Sequence, residues 1–222
     1  MKSVCIVKVD VIIAVYNAES TIEECVKSVL NQVISENLIT KICCGDNNDD
    51  DSRKRNHPPS FDDIHFDISI CCYNDASTDK SLDILHSLEN INKVYHASMK
   101  TKLLVGTAPI GTTSRGAGYA RNQAVKLRDE YESNNTDANN QNACTNHFLC
   151  ILDSDDTMKP TRIVEQTCAM LSLSEEVRER TLMGCQFERI PKDATHHYSQ
   201  WANSISDERL YLEQFRECTL VS

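Results

Sequence analysis

The stretch VDVIIAVYNAESTIEECVKSVL, residues 9–30, contains a predicted strand, a turn and a helix in that order. Residues 9–15 form a β-branched run of the kind that makes a buried strand. A capping box over residues 20–23 then predicts a helix start. Apolar residues follow at helical spacing, at Ile22, Cys25, Val26, Val29 and Leu30. A strand that leads directly into a helix is the repeating unit of an α/β fold.

The same alternation of strand and helix continues along the chain. Further strands are predicted over residues 66–72, 102–105, 148–152 and 182–187. Helices are predicted after a cap at Ser77 or Thr78, over residues 118–127, and from Pro160 at its favoured first helical position. The order of these elements predicts an α/β domain with a mainly parallel central sheet.

Composition excludes several classes of function. The chain has 222 residues and a net charge of −10 with no basic stripe, which argues against a nucleic-acid binder. No apolar run approaches the roughly 20 residues of a membrane span. Lys8 and Asp10 interrupt the first apolar run, so no signal peptide is predicted either. We therefore expect a cytoplasmic protein whose eleven cysteines are reduced, several of them buried.

Two polar segments interrupt the alternation. Residues 34–63 and 132–146 are rich in Asn, Asp and Ser and poor in aromatic residues, which is typical of surface insertions. The strand and helix pattern resumes after each, so both are predicted as loops within one domain over residues 1–190.

The segment FLCILDSDD, residues 148–156, ends a predicted strand in three carboxylates, Asp153, Asp155 and Asp156. Carboxylates this close repel one another unless a cation lies between them. Mg²⁺ binds through one or two protein carboxylates and takes phosphate and water as its other ligands. An acidic turn without a metal is the alternative, and the segment alone does not separate the two.

Polar residues follow three of the predicted strands: residues 16–19, residues 74–79 and residues 153–156. Ligands of parallel α/β sheets bind beyond the carboxyl ends of the strands. Because these three clusters meet at one edge of the sheet, their placement favours a binding site over three unrelated turns.

Taken together, these segments resemble those of a known family. The segments VDVIIAVYNAESTIEECVKSVLNQ, YNDASTDKSLDIL, GAGYARNQAV and FLCILDSDD are similar, in order and approximate spacing, to those of family 2 glycosyltransferases. Within that family the chain looks most like β-1,3-N-acetylglucosaminyltransferase-like proteins. The resemblance implies the GT-A fold, a three-layer α/β sandwich. It also implies a UDP-sugar donor, a divalent metal (Mn²⁺ or Mg²⁺) and an acceptor hydroxyl.

The resemblance further implies a role for individual residues. Asp75 would accept a hydrogen bond from uracil, and Asp155, with Asp153, would bind the metal. The implied donor-binding residues are Val15, Tyr16, Asn17, Glu19, Asp75, Arg121, Asn122, Asp153 and Asp156.

The sequence departs from the family pattern at Ala14, where proline is usual, and at Ala76, where glycine is usual. No convincing Glu-Asp motif for the catalytic base follows Asp156, and Glu188 and Asp193 are only weak candidates. We therefore expect residues 191–222 to be the start of an incomplete acceptor region in a truncated chain.

Two alternatives stay open. One is an inactive nucleotide-sugar-binding or interaction protein that lacks the general base. The other is a nucleotidyltransferase, although that class would show a Gly-rich basic loop where this chain has AVYNAE, residues 14–19.

Overall fold

The computed structural model describes residues 5–34, 64–89, 98–134, 144–191, 194–206 and 208–209. The chain divides into two compact units, Met1–Ser174 and Glu175–Ser222. The predicted domain boundary lies further along the chain, at residue 190. The insertion predicted at residues 34–63 lies outside the described residues except for Ile34.

A four-stranded sheet forms the centre of the first unit. Its strands are β1 (Cys5–Val15), β2 (Ile64–Asn74), β3 (Met99–Thr107) and β4 (Cys144–Ile151). They lie in the order β3-β2-β1-β4, and every neighbouring pair is parallel. The predicted α/β class with a parallel sheet is confirmed, and each strand begins before the residue that its apolar run predicts.

One face of the sheet carries the main hydrophobic core. Three helices pack there: α1 (Ile22–Leu30), α2 (Ser81–Glu89) and α4 (Arg162–Leu171). Alternate residues of β1 point into this core, and Val7, Val11 and Ile13 are fully buried. Each such side chain contributes about 1.5–3 kcal/mol by leaving water, so this face supplies most of the stabilisation of the unit. Cys25, Cys72 and Cys168 are buried in this core.

The opposite face of the sheet packs against one long helix, α3 (Ala117–Asn134). Only Ala120, Ala124 and Arg128 of this helix are buried. The helix continues seven residues past the predicted end at residue 127. The insertion predicted at residues 132–146 is therefore shorter, because residues 132–134 are helical and residues 144–146 belong to β4.

The helices predicted after residues 20–23, after Ser77 or Thr78 and from Pro160 all form, but the residues predicted to begin them do not play their predicted roles. α1 begins after Thr21 with no side-chain cap, so the predicted capping box does not form. Ser77 and Thr78 do not cap α2, because they bond to Asn17 instead. Asp79 Oδ1 accepts the backbone N–H of Ser81, the first residue of α2, at 3.0 Å. α4 begins at Arg162, two residues after Pro160.

The second unit contains two short helices among its described residues, α5 (Glu175–Arg178) and α6 (His196–Asn203). The strand predicted over residues 182–187 is wrong, since that segment is irregular. Asn203 holds it locally by exchanging two hydrogen bonds with the backbone of Phe187. Across the described parts of the chain, no helix combines the length and apolar character of a membrane span.

Candidate functional site

The carboxyl ends of the four strands meet at one edge of the sheet. Val15 lies beside Asn74, Asn74 beside Thr107, and Ile12 beside Ile151. A cavity of about 300 Å³ opens at this edge. Its lining residues are Ala14, Val15, Tyr16, Asp75, Ser114, Gly116, Ala117, Ala120, Arg121, Asp153, Ser154 and Asp155. The predicted convergence of the clusters is therefore observed in the structure.

Asp75 is the most deeply buried acid of the cavity, with 1 % of its surface exposed. Its Oδ2 accepts hydrogen bonds from Ser114 Oγ and from the backbone N–H groups of Arg115 and Gly116, at 2.7, 2.7 and 2.8 Å. Its Oδ1 is buried and has no partner among the described residues. A buried polar atom without a partner costs about 1–3 kcal/mol, so a ligand that donates to this oxygen gains affinity.

Arg121 lines the same cavity from the first turns of α3. Its Nη2 donates to Asp153 Oδ1 at 2.5 Å, which joins the helix to the acidic loop after β4. Its Nε is buried and has no acceptor among the described residues. The cavity thus contains an unpartnered acceptor on Asp75 and an unpartnered cationic donor on Arg121.

The acidic loop of residues 153–156 is fixed from beneath by α1. Asp156 N–H donates to the Asp153 carbonyl at 3.0 Å, and the Cys25 thiol donates to that carbonyl at 3.4 Å. Burial, and then the charges of Asp156, Asp155 and Asp153, raise the pKa of the Cys25 thiol to about 12. Cys25 therefore stays protonated and acts as a donor under the loop rather than as a nucleophile.

The segment that follows the acidic loop is hydrogen-bonded to α1 and to Gln32, which lies just after that helix. Gln32, at 1 % exposure, donates to the Lys159 carbonyl at 2.8 Å and accepts the Ile163 N–H at 3.0 Å. Ser28 Oγ accepts the Met158 N–H at 2.9 Å. Hydrogen bonds therefore hold both the start of the acidic loop, at Asp153, and the segment that follows it.

Asn17 and Glu19 join two loops and do not line the cavity. Asn17 N–H donates to Ser77 Oγ at 3.0 Å, and Asn17 Oδ1 accepts the Thr78 N–H at 2.8 Å. Glu19 Oε2 accepts the Lys80 N–H at 3.0 Å. These two residues bind the turn after β1 to the turn after β2 and so hold Tyr16 and Asp75 side by side.

The carboxylates of the acidic loop fit a metal shared with a ligand. Among the described residues, no three His, Cys, Asp or Glu side chains are grouped closely enough to hold a metal by themselves. Asp155 is exposed, lines the cavity, and makes no hydrogen bond or ion pair within the described chain. One available carboxylate next to a cavity suits Mg²⁺ or Mn²⁺ whose other ligands are phosphate and water.

The structure brings together six of the predicted site residues: Val15, Tyr16, Asp75, Arg121, Asp153 and Asp155. Asn122 and Asp156 are exposed and outside the cavity lining. Glu188 belongs to the second unit, and Asp193 lies outside the described residues. The sequence-based prediction missed Ser114. The one sequence feature that could have indicated its role is its position two residues before Gly116, just ahead of the predicted helix.

A larger cavity of about 450 Å³ lies beside β3 and the end of α3. It borders Leu103, Leu104 and Val105 in the strand, not the strand end. Its lysine, Lys102, is already paired with Asp67 and lies over the ring of Tyr131. None of the predicted site residues lines it.

A sequence-family profile matches a short part of the chain. A profile described as "Glycosyl transferase family 2" matches residues 10–56. The match includes β1 from Asp10, the turn that holds Tyr16 and Asn17, and α1. Asp75, Arg121 and the acidic loop lie beyond it and are linked to Tyr16 only by the geometry of the cavity.

Solved structures of S. aureus TarS are also similar to the chain. TarS 1-349 in complex with UDP is 19 % identical, with 72 % of this chain and 31 % of that chain covered and a TM-score of 0.39. TarS 1-349 in complex with UDP-GlcNAc is 19 % identical over 75 % and 31 %, also with a TM-score of 0.39. The chain thus spans about a third of those structures, and a similarity of this size assigns no role to its residues.

Proposed function

We propose that the chain is the donor-binding part of a family 2 glycosyltransferase with a GT-A fold, which transfers a sugar from a UDP-sugar to an acceptor hydroxyl. One observation carries this proposal: a cavity at the carboxyl edge of a parallel sheet contains two buried, unpartnered polar atoms of opposite character. Asp75 Oδ1 suits a ring N–H of a base. Arg121 suits the negative charge of a diphosphate.

The family match supports the same function from an independent part of the chain, residues 10–56. Tyr16 is 52 % exposed although it lines the cavity, so its ring is available to a base or sugar. A nucleotidyltransferase shares the metal-and-phosphate chemistry but is the weaker proposal, because it lacks this sequence match.

In the proposed reaction the bond between the anomeric carbon and the diphosphate oxygen breaks. A new bond forms between that carbon and the acceptor oxygen, with inversion, and UDP leaves. The Arg121 guanidinium stabilises the charge that develops on the diphosphate. A divalent metal held by Asp155, with Asp153 beside it, would supply Lewis-acid stabilisation of the same charge. The acceptor proton needs a general base, for which Glu188 and Asp193 are the candidates.

Binding of UDP, UDP-GlcNAc, UDP-Gal and UDP-Glc, each titrated calorimetrically with and without Mn²⁺, tests this function. We expect UDP to bind with a Kd between about 1 µM and 1 mM, the usual range for enzyme substrates, and more tightly with Mn²⁺. Asp155→Ala removes the Mn²⁺ effect, whereas Asp83→Ala, an exposed carboxylate on α2, leaves it intact. Absence of UDP binding would contradict the proposal, and a Mn²⁺ effect that survives Asp155→Ala would contradict the metal assignment.

The alternative proposal, an inactive nucleotide-sugar-binding protein, shares the binding site and differs in the chemistry. UDP release from the best-bound UDP-sugar, with water or added glycans as acceptor, separates the two. Steady release that is lost in Arg121→Gln and kept in Lys126→Gln, an exposed residue of the same helix, supports the enzyme. Tight binding without release supports the alternative.

A further inference from the structure

The carboxylate of Asp75 is held on one side only. Three donors converge on Oδ2: the hydroxyl of Ser114 and the N–H groups of Arg115 and Gly116. Gly116 has a φ of 91°, a left-handed conformation that favours glycine. We call residues 114–116 the Asp75 clamp.

The clamp immediately precedes α3, which begins at Ala117. Asp75 therefore lies at the positive end of the helix dipole, where a negative charge is stabilised. With Oδ2 engaged by three donors, Oδ1 is the oxygen that is left without a partner among the described residues. The clamp thus presents a single charged acceptor in a residue that lines the cavity.

We infer that Ser114 is a positioning residue for the base of the donor: by engaging Oδ2 of Asp75 it leaves Oδ1 as the acceptor for a pyrimidine that carries a ring N–H. The inference rests on the proposed function, since it concerns the base of the nucleotide donor. It adds a determinant of specificity, Ser114, to the role of Asp75 as an acceptor.

Uracil and cytosine differ at the atom that such an acceptor contacts. N3 of uracil carries a hydrogen and donates, whereas N3 of neutral cytosine carries a lone pair and would face the carboxylate oxygen in repulsion. A site built to hydrogen-bond a donor rejects the analogue that lacks it, because the buried acceptor is then left unpaired. The clamp therefore discriminates UDP from CDP without any contact to the sugar or the phosphates.

The clamp also determines the orientation that the side-chain amide would adopt if Asp75 were replaced by asparagine. In Asp75→Asn the carbonyl oxygen would take the Oδ2 position, because all three clamp groups donate there. The amide NH₂ would then occupy the Oδ1 position and donate to N3 of cytosine. The substitution should consequently reverse the preference, with CDP bound more tightly than UDP.

The test is calorimetric binding of UDP and CDP to the full chain and to variants at Ser114 and Asp75. We expect the unmodified chain to prefer UDP by about 10- to 100-fold, the effect of one hydrogen bond to a charged group. Ser114→Ala lowers the UDP affinity by about tenfold and reduces the UDP/CDP ratio, and Ser114→Thr restores both because it keeps the hydroxyl. Thr113→Ala, which removes an exposed neighbouring hydroxyl, changes neither.

The outcomes separate this inference from the proposed function. If neither the unmodified chain nor any variant binds UDP, the proposed function itself is wrong. If UDP binds selectively but Ser114→Ala leaves the UDP/CDP ratio unchanged, the positioning role of Ser114 is wrong and the proposed function stands. If Asp75→Asn weakens UDP and CDP equally, the clamp does not orient the side chain and the inference is overturned, whatever the result at Ser114.

Discussion

Ala76 follows Asp75 in the turn after β2 and has a φ of 60°. Glycine is usual at this position in the family that the chain resembles. A left-handed conformation costs an L-residue about 1–2 kcal/mol, whereas the greater unfolded-state freedom of glycine costs about 0.5–1 kcal/mol. The turn next to the candidate base-binding acid therefore holds strain that glycine would relieve.

We expect Ala76→Gly to raise the free energy of unfolding by about 0.5–1 kcal/mol, measured by urea denaturation. Ala108→Gly is the control, since Ala108 is half-buried at the end of β3 and its φ is not positive. That substitution should lower the free energy of unfolding, because only the unfolded chain gains freedom. Equal destabilisation by both substitutions would show that the turn at Ala76 is not strained.

At the scale of elements, α3 meets the sheet through both an apolar contact and a buried ion-pair network. Its buried residues are two alanines and Arg128, which has 1 % exposure. Arg128 donates to Asp10 Oδ1 at 2.6 Å and to Glu132 Oε1 at 2.8 Å, and it also pairs with Asp67. His147 of β4 adds a contact to Asp10 Oδ2 at 2.7 Å. The helix that carries Arg121 and follows the Asp75 clamp is thus positioned by an ion-pair network as well as by its apolar contact with the sheet.

Arg128→Met is expected to cost about 3–5 kcal/mol of unfolding free energy, because it leaves the buried Asp10 without its cation. The double variant Arg128→Met with Asp10→Val should recover most of that loss, since it removes both buried charges. Lys126→Met, an exposed residue of the same helix, should change stability by less than about 0.5 kcal/mol. Chemical denaturation of the unmodified chain, these three variants and the single variant Asp10→Val measures these differences, and additive effects of the two single substitutions would show that Arg128 and Asp10 are not coupled.

Glu132 in the same helix makes the stability dependent on pH. Burial opposes its charged form, but hydrogen bonds from Lys8 and Arg128 and their positive charges lower the pKa of Glu132 from 4.5 to about 2. A carboxyl whose pKa is lower in the folded state stabilises the fold above its unfolded pKa and loses that contribution as the pH falls. The loss should therefore occur between about pH 4.5 and pH 2.

We expect Glu132→Gln to flatten the stability curve in that window, because the glutamine has no proton to gain. Urea denaturation at intervals from pH 7 down to about pH 2.5 measures the effect, because this series covers most of the titration of Glu132. Glu130→Gln removes an exposed carboxylate of the same helix and should leave the slope unchanged. If both variants keep the slope of the unmodified chain, the network around Glu132 contributes nothing to acid sensitivity.

Local patterns predicted the sheet and the convergence of the strand ends, because both follow from the apolar runs and from parallel topology. They did not predict that β1 begins at Cys5, since Lys8 becomes compatible with the sheet only through its partner Glu132 on α3. The role of Ser114 was likewise missed because its partner is distant in sequence. Its hydrogen bond to Asp75 spans 39 residues.

The predicted strand over residues 182–187 fails for a complementary reason. A short apolar segment forms a strand only when its surroundings offer a sheet to pack in. In the structure Leu182 and Ile190 are 83 % and 89 % exposed, and local bonds to Asn203 hold the segment instead. A short apolar segment in the sequence therefore does not by itself establish a strand.

At the scale of the whole molecule, the candidate site belongs to one unit. Every residue that lines the 300 Å³ cavity lies within Met1–Ser174. The described contacts that fix those residues, from Ser114 to Asp75 and from Gln32 to the segment after the acidic loop, also lie within that unit. Donor binding should therefore not require the second unit.

We expect a protein of residues 1–174 to bind UDP with a Kd within about threefold of the full chain, a difference of less than 1 kcal/mol. Calorimetric titration of both proteins, after circular dichroism has shown equal thermal unfolding of the shared unit, makes the comparison. Asp75→Ala in each protein is the control, because it removes the same acceptor from both. A shortened protein that is folded but binds UDP more than tenfold more weakly would show that the second unit contributes to donor binding. An unchanged Kd would instead confine any role of Glu188 to the acceptor and its proton, because that residue is absent from the shortened protein.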